Sequence, residues 1–373
     1  MIRFVSNLPE GLRSGGFSAM NAAAYTALAS AGPVTYTGRI NPPVRTTVKI
    51  TASLLRRIGV PRDFSFFSED RLRRIAAEYT RLGRGDAALD FFHGFTPWIL
   101  TRPDRPYLAW SDCTFHDYVR IYHDVEGFKA SDLARIEEAE ANWLSRAERI
   151  LFTSQWAANR VLETYGLRKN RVGVVGLFGE ADLPEADTYK DGFHFLFVST
   201  DFVAKGGPTV VEAFRGVRRR HPEARLTVVG DPPIDGALEA GVTYAGYLHK
   251  ENSGESKRFR ELVGSVRALV HPTKSDILPL ILIECGYHGC PVIASRRFAI
   301  PELVSDAVNG FLLDDPCDAG ALEQKMIRMI SMDDYDYRRM RAASWERARG
   351  FFSKVQFESR LCSEVEGILK TQR

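Results

Sequence analysis

The chain has no membrane-length apolar run: none of its hydrophobic stretches approaches the roughly 20 residues that a spanning helix requires. Its net charge is only +3 over 373 residues, so bulk charge implies no nucleic-acid partner. Cysteine is scarce. There are five, an odd number, and only Cys285 and Cys290 lie close in sequence. That is the pattern of a reduced, cytoplasmic protein, and no cysteine or histidine group has metal-ligand spacing. No G-x-G-x-x-G follows any apolar run, which argues against a dinucleotide-dependent dehydrogenase. Repeats and low-complexity tracts are absent. Met1 to Ser6 runs straight into a strand pattern and lacks the layout of a signal peptide.

What remains is ordinary globular composition, 45% apolar and 26% charged. The length exceeds that at which a single core usually splits, so two domains are expected. Strand and helix signals alternate along the chain. Ile2 to Ser6, Val34 to Thr37, Leu89 to His93, Tyr107 to Ser111, Ile150 to Thr153 and Val172 to Val175 read as strands, with helices between them. Ser131 is the expected N-cap of a long amphipathic helix ending near Ala147. The acidic stretch 179–192 reads as a linker. Beyond it the alternation restarts, with strands at His194 to Ser199, Arg225 to Val229 and Val242 to Tyr247, and a helix from Pro208 to Arg220. Such alternation predicts an α/β fold of two doubly wound parallel sheets.

The most informative stretch runs from His271 to Glu302. A buried strand ends near Val270, residues 273–279 are turn-like, and Leu280 to His288 fit a helix stopped by Gly289. In such β-loop-α units ligands bind at the C-terminal ends of the strands. Glu284 follows Leu280, Ile281, Leu282 and Ile283, which are apolar on every face of the helix. A helix apolar all round is buried, and a carboxylate there is costly unless paired. Either another side chain satisfies Glu284, or a ligand hydroxyl does.

Asp276, seven intervening residues, Glu284, then Gly289-Cys290-Pro291-Val292-Ile293 and Pro301-Glu302 resemble the donor-binding signature of retaining family 4 glycosyltransferases, the glycosyl transferases group 1. The resemblance implies a GT-B fold: two Rossmann-like domains facing a cleft. The expected division is 1–180, an acceptor-binding domain, and 181–352, a nucleotide-sugar domain, with a C-terminal helix in 353–373 crossing back to the first. It also implies that Glu284 binds the ribose hydroxyls and Asp276, a shorter variant of the usual Glu, the transferred sugar. Backbone amides at Ile277 and Leu278 would hold sugar and phosphate. No bound metal or cofactor is implied.

A second constellation is the strand Phe195 to Ser199, then Thr200, and Lys205-Gly206-Gly207-Pro208 at a helix start. Free amides there favour phosphate, and Lys205 adds positive charge. An exposed lysine before a helix is the plainer reading. Lys205 and Gly206 match the family segment, but its Arg is absent, and Lys274 is the candidate substitute. Gly15 and Gly16 follow the first strand, where the family's glycines let backbone approach the donor phosphates. An ordinary tight turn explains them equally well. Asp112 ends the Tyr107 to Ser111 strand where some relatives carry His or Asp facing the anomeric centre. A helix cap or turn residue is the alternative, and His93 is a weaker candidate at a similar strand end.

The expected function is therefore transfer of a sugar from a nucleotide-diphosphate sugar to a glycan, lipid-linked or small-molecule acceptor, with Lys205 and Asp112 in catalytic roles. The rival from another class is a non-catalytic GT-B scaffold or partner subunit. One segment stands apart: residues 39–62 carry Arg39, Arg45, Lys49, Arg56, Arg57 and Arg62 with no acid. Thr46 to Ile58 fits an amphipathic helix with Val48, Ala52, Leu55 and Gly59 on one stripe. The plain reading is a solvated flank. The sharper one is a face for anionic lipid headgroups, giving peripheral attachment to the inner membrane face.

Overall fold

The computed structural model describes residues 1–12, 16–83, 85–180, 183, 184, 187, 189, 192–231, 239–250 and 252–371. The chain divides into two units, Met1–Leu177 with Val355–Arg373, and Phe178–Lys354. No helix among the described residues is long and apolar enough to cross a membrane.

The first unit is a six-stranded parallel sheet of β1 (Ile2–Val5), β2 (Val34–Thr37), β3 (Leu89–His93), β4 (Tyr107–Ser111), β5 (Arg149–Phe152) and β6 (Val172–Val174), in the order β2-β1-β3-β4-β5-β6. β1, β3 and β4 are buried along their whole length. This is why they read as near-continuous apolar runs: helices cover both faces of a parallel sheet. One charge interrupts each of two neighbours. Arg3 on β1 sits directly opposite Asp90 on β3. Its guanidinium donates to both carboxylate oxygens, at 2.8 and 2.7 Å, and Tyr79 Oη donates to the same carboxylate at 2.5 Å.

Two helices of this unit matter below, α1 (Gly16–Ala31) and α2 (Thr46–Arg57). The helix expected to be capped by Ser131 starts earlier, at Ala130, with Lys129 before it and no side-chain cap. The backbone explains this. Lys129 N donates to Arg62 O at 2.9 Å, closing a short parallel bridge, and the helix springs from that anchor. The terminal helix Lys354–Thr371 joins this unit through Arg149, which donates to both oxygens of Glu364 at 2.6 Å. Arg360 Nε donates to Val175 O, and Phe357 meets the Trp110 ring.

The second unit repeats the plan with β7 (His194–Ser199), β8 (Arg225–Gly230), β9 (Val242–Gly246), β10 (Ala268–His271), β11 (Val292–Ser295) and β12 (Gly310–Leu313), ordered β12-β11-β10-β7-β8-β9. Its core includes Phe195, Phe197, Phe214, Met326 and Met329. The acidic stretch 179–192 is not a free tether at its described residues. Gly179 N donates to Tyr287 Oη at 3.0 Å, and Asp187 takes Arg341 Nε at 2.9 Å and Nη2 at 2.5 Å. Arg341 is buried, so its charge needs such a partner.

Candidate donor site

Each sheet reverses its winding once. In the second unit the chain runs outward through β7, β8 and β9, then returns to the other side of β7 with β10. The crevice beyond the carboxyl ends of β7 and β10 is thus the switch point where open α/β sheets bind ligands. The loop after β7 carries Lys205 and the loop after β10 carries Asp276.

The two loops are joined. Lys274 N donates to Ala204 O at 3.1 Å. Gly206 has φ +85°, and a Cβ there would strike the Pro272 carbonyl. Glycine is required on both counts, since only it takes that conformation without strain. It ends the loop and starts the helix Gly207–Arg220, with Pro208 in the first turn.

Across this junction the Asp276 carboxylate accepts from Lys205 Nζ on one oxygen, and from His271 Nε2 and Thr273 Oγ1 on the other, at 3.1 Å each. Burial alone would raise this carboxyl. The His271 hydrogen bond and the charges of His271 and Lys205 outweigh it, and hold the group well below the usual carboxylate range. His271 Nδ1 is buried without a partner among the described residues. Lys274, by contrast, is exposed, and its side chain makes no hydrogen bond or ion pair among the described residues. Thr200 is exposed as well.

Asp276 is followed by backbone with unused donors. Among the described residues, the amides of Asp276, Ile277 and Leu278 donate to no protein acceptor. They lead through Pro279 into the helix Leu280–Tyr287. Successive free N–H groups beside a helix start form an anion-receptive concavity.

Glu284 lies within that helix, buried among Leu282, Ile283 and Cys285. Of the two options for its charge, the structure supplies a side chain. Lys250 Nζ donates to Oε1 at 2.5 Å, and Glu180 N donates to the same oxygen at 3.2 Å. A side chain at Gly179 would collide with Glu284 Cγ, at 2.7 Å. Lys250 and His271 escaped the sequence reading. Lys250 lies in an irregular loop after β9 and carries no motif. His271 sits at a strand end, a position that marks a candidate but names no partner.

The first unit has its own switch point, between β1 and β3. Gly15 lies outside the described residues. Gly16 opens α1, and Phe17 beside it packs on the His93 ring at the end of β3, centroids 4.2 Å apart. Burial pushes His93 down to about 3, so it is uncharged, and neither ring nitrogen has a partner among the described residues. Asp112 follows β4. It accepts from Ser111 Oγ at 3.3 Å, and burial raises its carboxyl. It is not a helix cap: Thr114 caps the next helix, accepting from Asp117 N.

Residues 180–347 match the glycosyl transferases group 1. Sucrose-phosphate synthase from Thermosynechococcus elongatus is similar in structure, with 15% identity, a TM-score of 0.68, and 99% of each chain covered. HepE from Anabaena, solved with UDP-glucose, superposes with a TM-score of 0.67 at 14% identity, over 98% of this chain and 99% of that one. The chain thus has the GT-B fold of two Rossmann-like domains. In sequence it is 26% identical over 219 residues to an uncharacterized glycosyltransferase of Methanocaldococcus jannaschii. That match covers 57% of this chain and 57% of the relative, less than two thirds of the relative's length.

Proposed function

We propose that this protein is a retaining, nucleotide-sugar-dependent glycosyltransferase of family 4, working without a metal in the cytoplasm. The observation that carries the reading is the convergence at the β7/β10 switch point. Lys205, three free amides and Asp276 stand on neighbouring loops, with Glu284 in the helix that follows, each with a use on a sugar nucleotide. The match of 180–347 to glycosyl transferases group 1 supports it. The GT-B neighbour solved with UDP-glucose supports a nucleotide-sugar donor of this kind.

In this reading the donor replaces the chain's own ion pairs. Ribose hydroxyls donate to Glu284 as Lys250 swings toward solvent. The diphosphate takes the amides of Asp276, Ile277 and Leu278 and draws Lys205 away from Asp276. Asp276 is then left with His271 and Thr273 and an oxygen free for a sugar hydroxyl. Lys274 is close in sequence to the same anion. The anomeric carbon–oxygen bond breaks as the acceptor oxygen bonds on the same face, and the acceptor proton passes to the departing phosphate oxygen. Lys205 and the amides stabilise the charge that develops there, the largest single contribution in catalysis of this type. His93 and Asp112, at the strand ends of the first unit, are the candidate groups on the acceptor side. The acceptor class is a glycan, a lipid-linked saccharide or a small molecule.

The test is incubation of the purified protein with UDP-, GDP- and ADP-sugars, following binding by calorimetry and slow hydrolysis by released nucleotide. One donor should bind and turn over, and Glu284→Gln should abolish its binding. Absence of binding to all of them would overturn the reading and favour a non-catalytic scaffold.

A further inference from the structure

α2 has no buried residue. Its inner side is the half-buried row Val48, Ala52 and Leu55. On the other side Ile50, Leu54 and Ile58 recur every four residues and are 62%, 59% and 62% exposed, with Val60 exposed just beyond. A helix that only covers its own domain needs one apolar stripe. This one has two, and the outer one faces water.

The basic residues share the exposed side of the helix with that outer stripe. With 3.6 residues per turn, Lys49, Arg56 and Arg57 all fall on one flank of it. Among the described residues none of the three makes an ion pair or a side-chain hydrogen bond. Their neighbours are engaged: Arg45 pairs with Asp70 at 2.8 Å, and Arg62 donates to Gly127 O while lying over the Phe128 ring. Of the free charges, Arg57 lies next to Ile50, and Lys49 and Arg56 lie about 100–120° round the helix from it, on the same exposed side.

We propose that α2 is a membrane-surface helix that docks on anionic lipid. Ile50, Leu54 and Ile58 enter the headgroup–acyl boundary, and Lys49, Arg56 and Arg57 reach headgroup phosphates. An apolar stripe with a basic flank and no spanning length is the layout of an interfacial helix, and long basic side chains lay their stems on apolar surface while the charge stays wet. A second copy of the chain suits the face poorly. Two α2 helices apposed would bring the unpaired cations of both copies together, and residues 39–62 contain no acid to answer them. The inference rests on α2 alone and stands or falls independently of the donor site.

The experiment is co-sedimentation with vesicles of phosphatidylcholine, with and without phosphatidylglycerol, at low and high salt. Wild type is compared with Ile50→Ser/Leu54→Ser/Ile58→Ser and with Lys49→Gln/Arg56→Gln/Arg57→Gln. Wild type should pellet with the anionic vesicles at low salt, largely release at high salt, and ignore phosphatidylcholine alone. Each basic residue near an anionic surface gives about fivefold in partitioning, so the glutamine triple should lose roughly 100-fold. The serine triple should also stay in the supernatant. All six positions are exposed, so both variants should melt as wild type does and keep their response to nucleotide sugars. Wild type left in the supernatant at low salt, or both triples pelleting like wild type, overturns the proposal. A dimer in gel filtration broken by the serine triple, without vesicle binding, overturns it in favour of self-association.

Discussion

Lys250 Nζ stands 2.5 Å from Glu284 Oε1, and the two partners are unequally placed: the Glu284 side chain is 1% exposed and that of Lys250 36%. If the pair is broken, a stranded lysine can turn to water, whereas a stranded carboxylate inside an apolar helix cannot.

The two mutations should therefore differ. Lys250→Met leaves a buried charge uncompensated and should cost about 3 kcal/mol or more of stability. Glu284→Gln removes that charge, keeps an acceptor for Glu180 N, and should cost less than about 1 kcal/mol. Urea unfolding of both variants checks this. Equal losses would mean that Lys250 does not hold the buried charge in solution.

Lys205 should act mainly on the rate. Lys205→Ala is expected to lower turnover roughly 100-fold or more, the scale of a lost oxyanion donor, with wild-type activity unchanged by EDTA. The readout is nucleotide release at saturating donor. Inhibition by EDTA that magnesium reverses would contradict the assignment of this work to Lys205 and the free amides.

Asp276 is held below its ordinary value of 3.8 in the folded chain. A carboxyl depressed on folding contributes stability above its unfolded value and loses it as pH falls through the folded one. Wild type should thus exceed Asp276→Asn in stability at neutral pH, and the gap should narrow only below about pH 4. Thermal melts from pH 7 to pH 3 measure this. A gap that does not change would show that the carboxylate is not paired.

Glu140 gives the opposite sign. Its carboxylate is fully buried and accepts from Thr96 Oγ1, Phe115 N and Tyr165 Oη, yet burial pushes it up to about 7 from 4.5. A raised acid destabilises the fold progressively as pH climbs from the unfolded value through the folded one. Glu140→Gln keeps an acceptor for Phe115 N and Tyr165 Oη and can donate to Thr96. It should melt near wild type at pH 5 and above it at pH 8. A variant less stable at both would show that Glu140 is needed as an anion.

Gly206→Ala tests the junction of the two loops. Its positive φ costs an alanine about 1–2 kcal/mol, and the added methyl meets the Pro272 carbonyl. Lower melting temperature together with weakened donor binding is expected. Weakened stability with unaltered donor affinity would separate the junction from the site.

Much of this was legible from residue order. Strand–helix alternation was enough for two doubly wound sheets. Lys205-Gly206 and Asp276…Glu284 stood out as motif residues, and the topology sets Lys205 and Asp276 on adjacent loops with Glu284 in the helix that follows. The partners were not legible. Lys250 reaches Glu284 across 34 residues and His271 meets Asp276 through a turn, and neither contact leaves a periodic trace. Ser131 misled because capping preference is local, whereas the helix start at Ala130 is fixed by the distant Arg62 carbonyl. In α2 the charge excess was visible, and Val48, Ala52 and Leu55 of the expected stripe are half-buried, but Gly59 is exposed and lies beyond the helix end at Arg57. The exposure of the Ile50–Leu54–Ile58 row was not legible, because sequence alone does not say which of two apolar faces is covered.

The Arg3–Asp90 pair at the centre of the first sheet has a consequence for errors of assembly. Side chains alternate faces along a strand, so β1 displaced by one residue would turn Arg3 toward the opposite layer and set it beside Leu89 or Phe91. Arg3 would then be buried without a carboxylate, at a cost of several kcal/mol, and Asp90 would keep only Tyr79 and the more distant Arg105, 3.8 Å away. Against well-packed apolar residues such a pair adds little net stability. Its effect falls on the mispaired alternatives, which it makes expensive, so that the β1/β3 crevice forms in only one alignment.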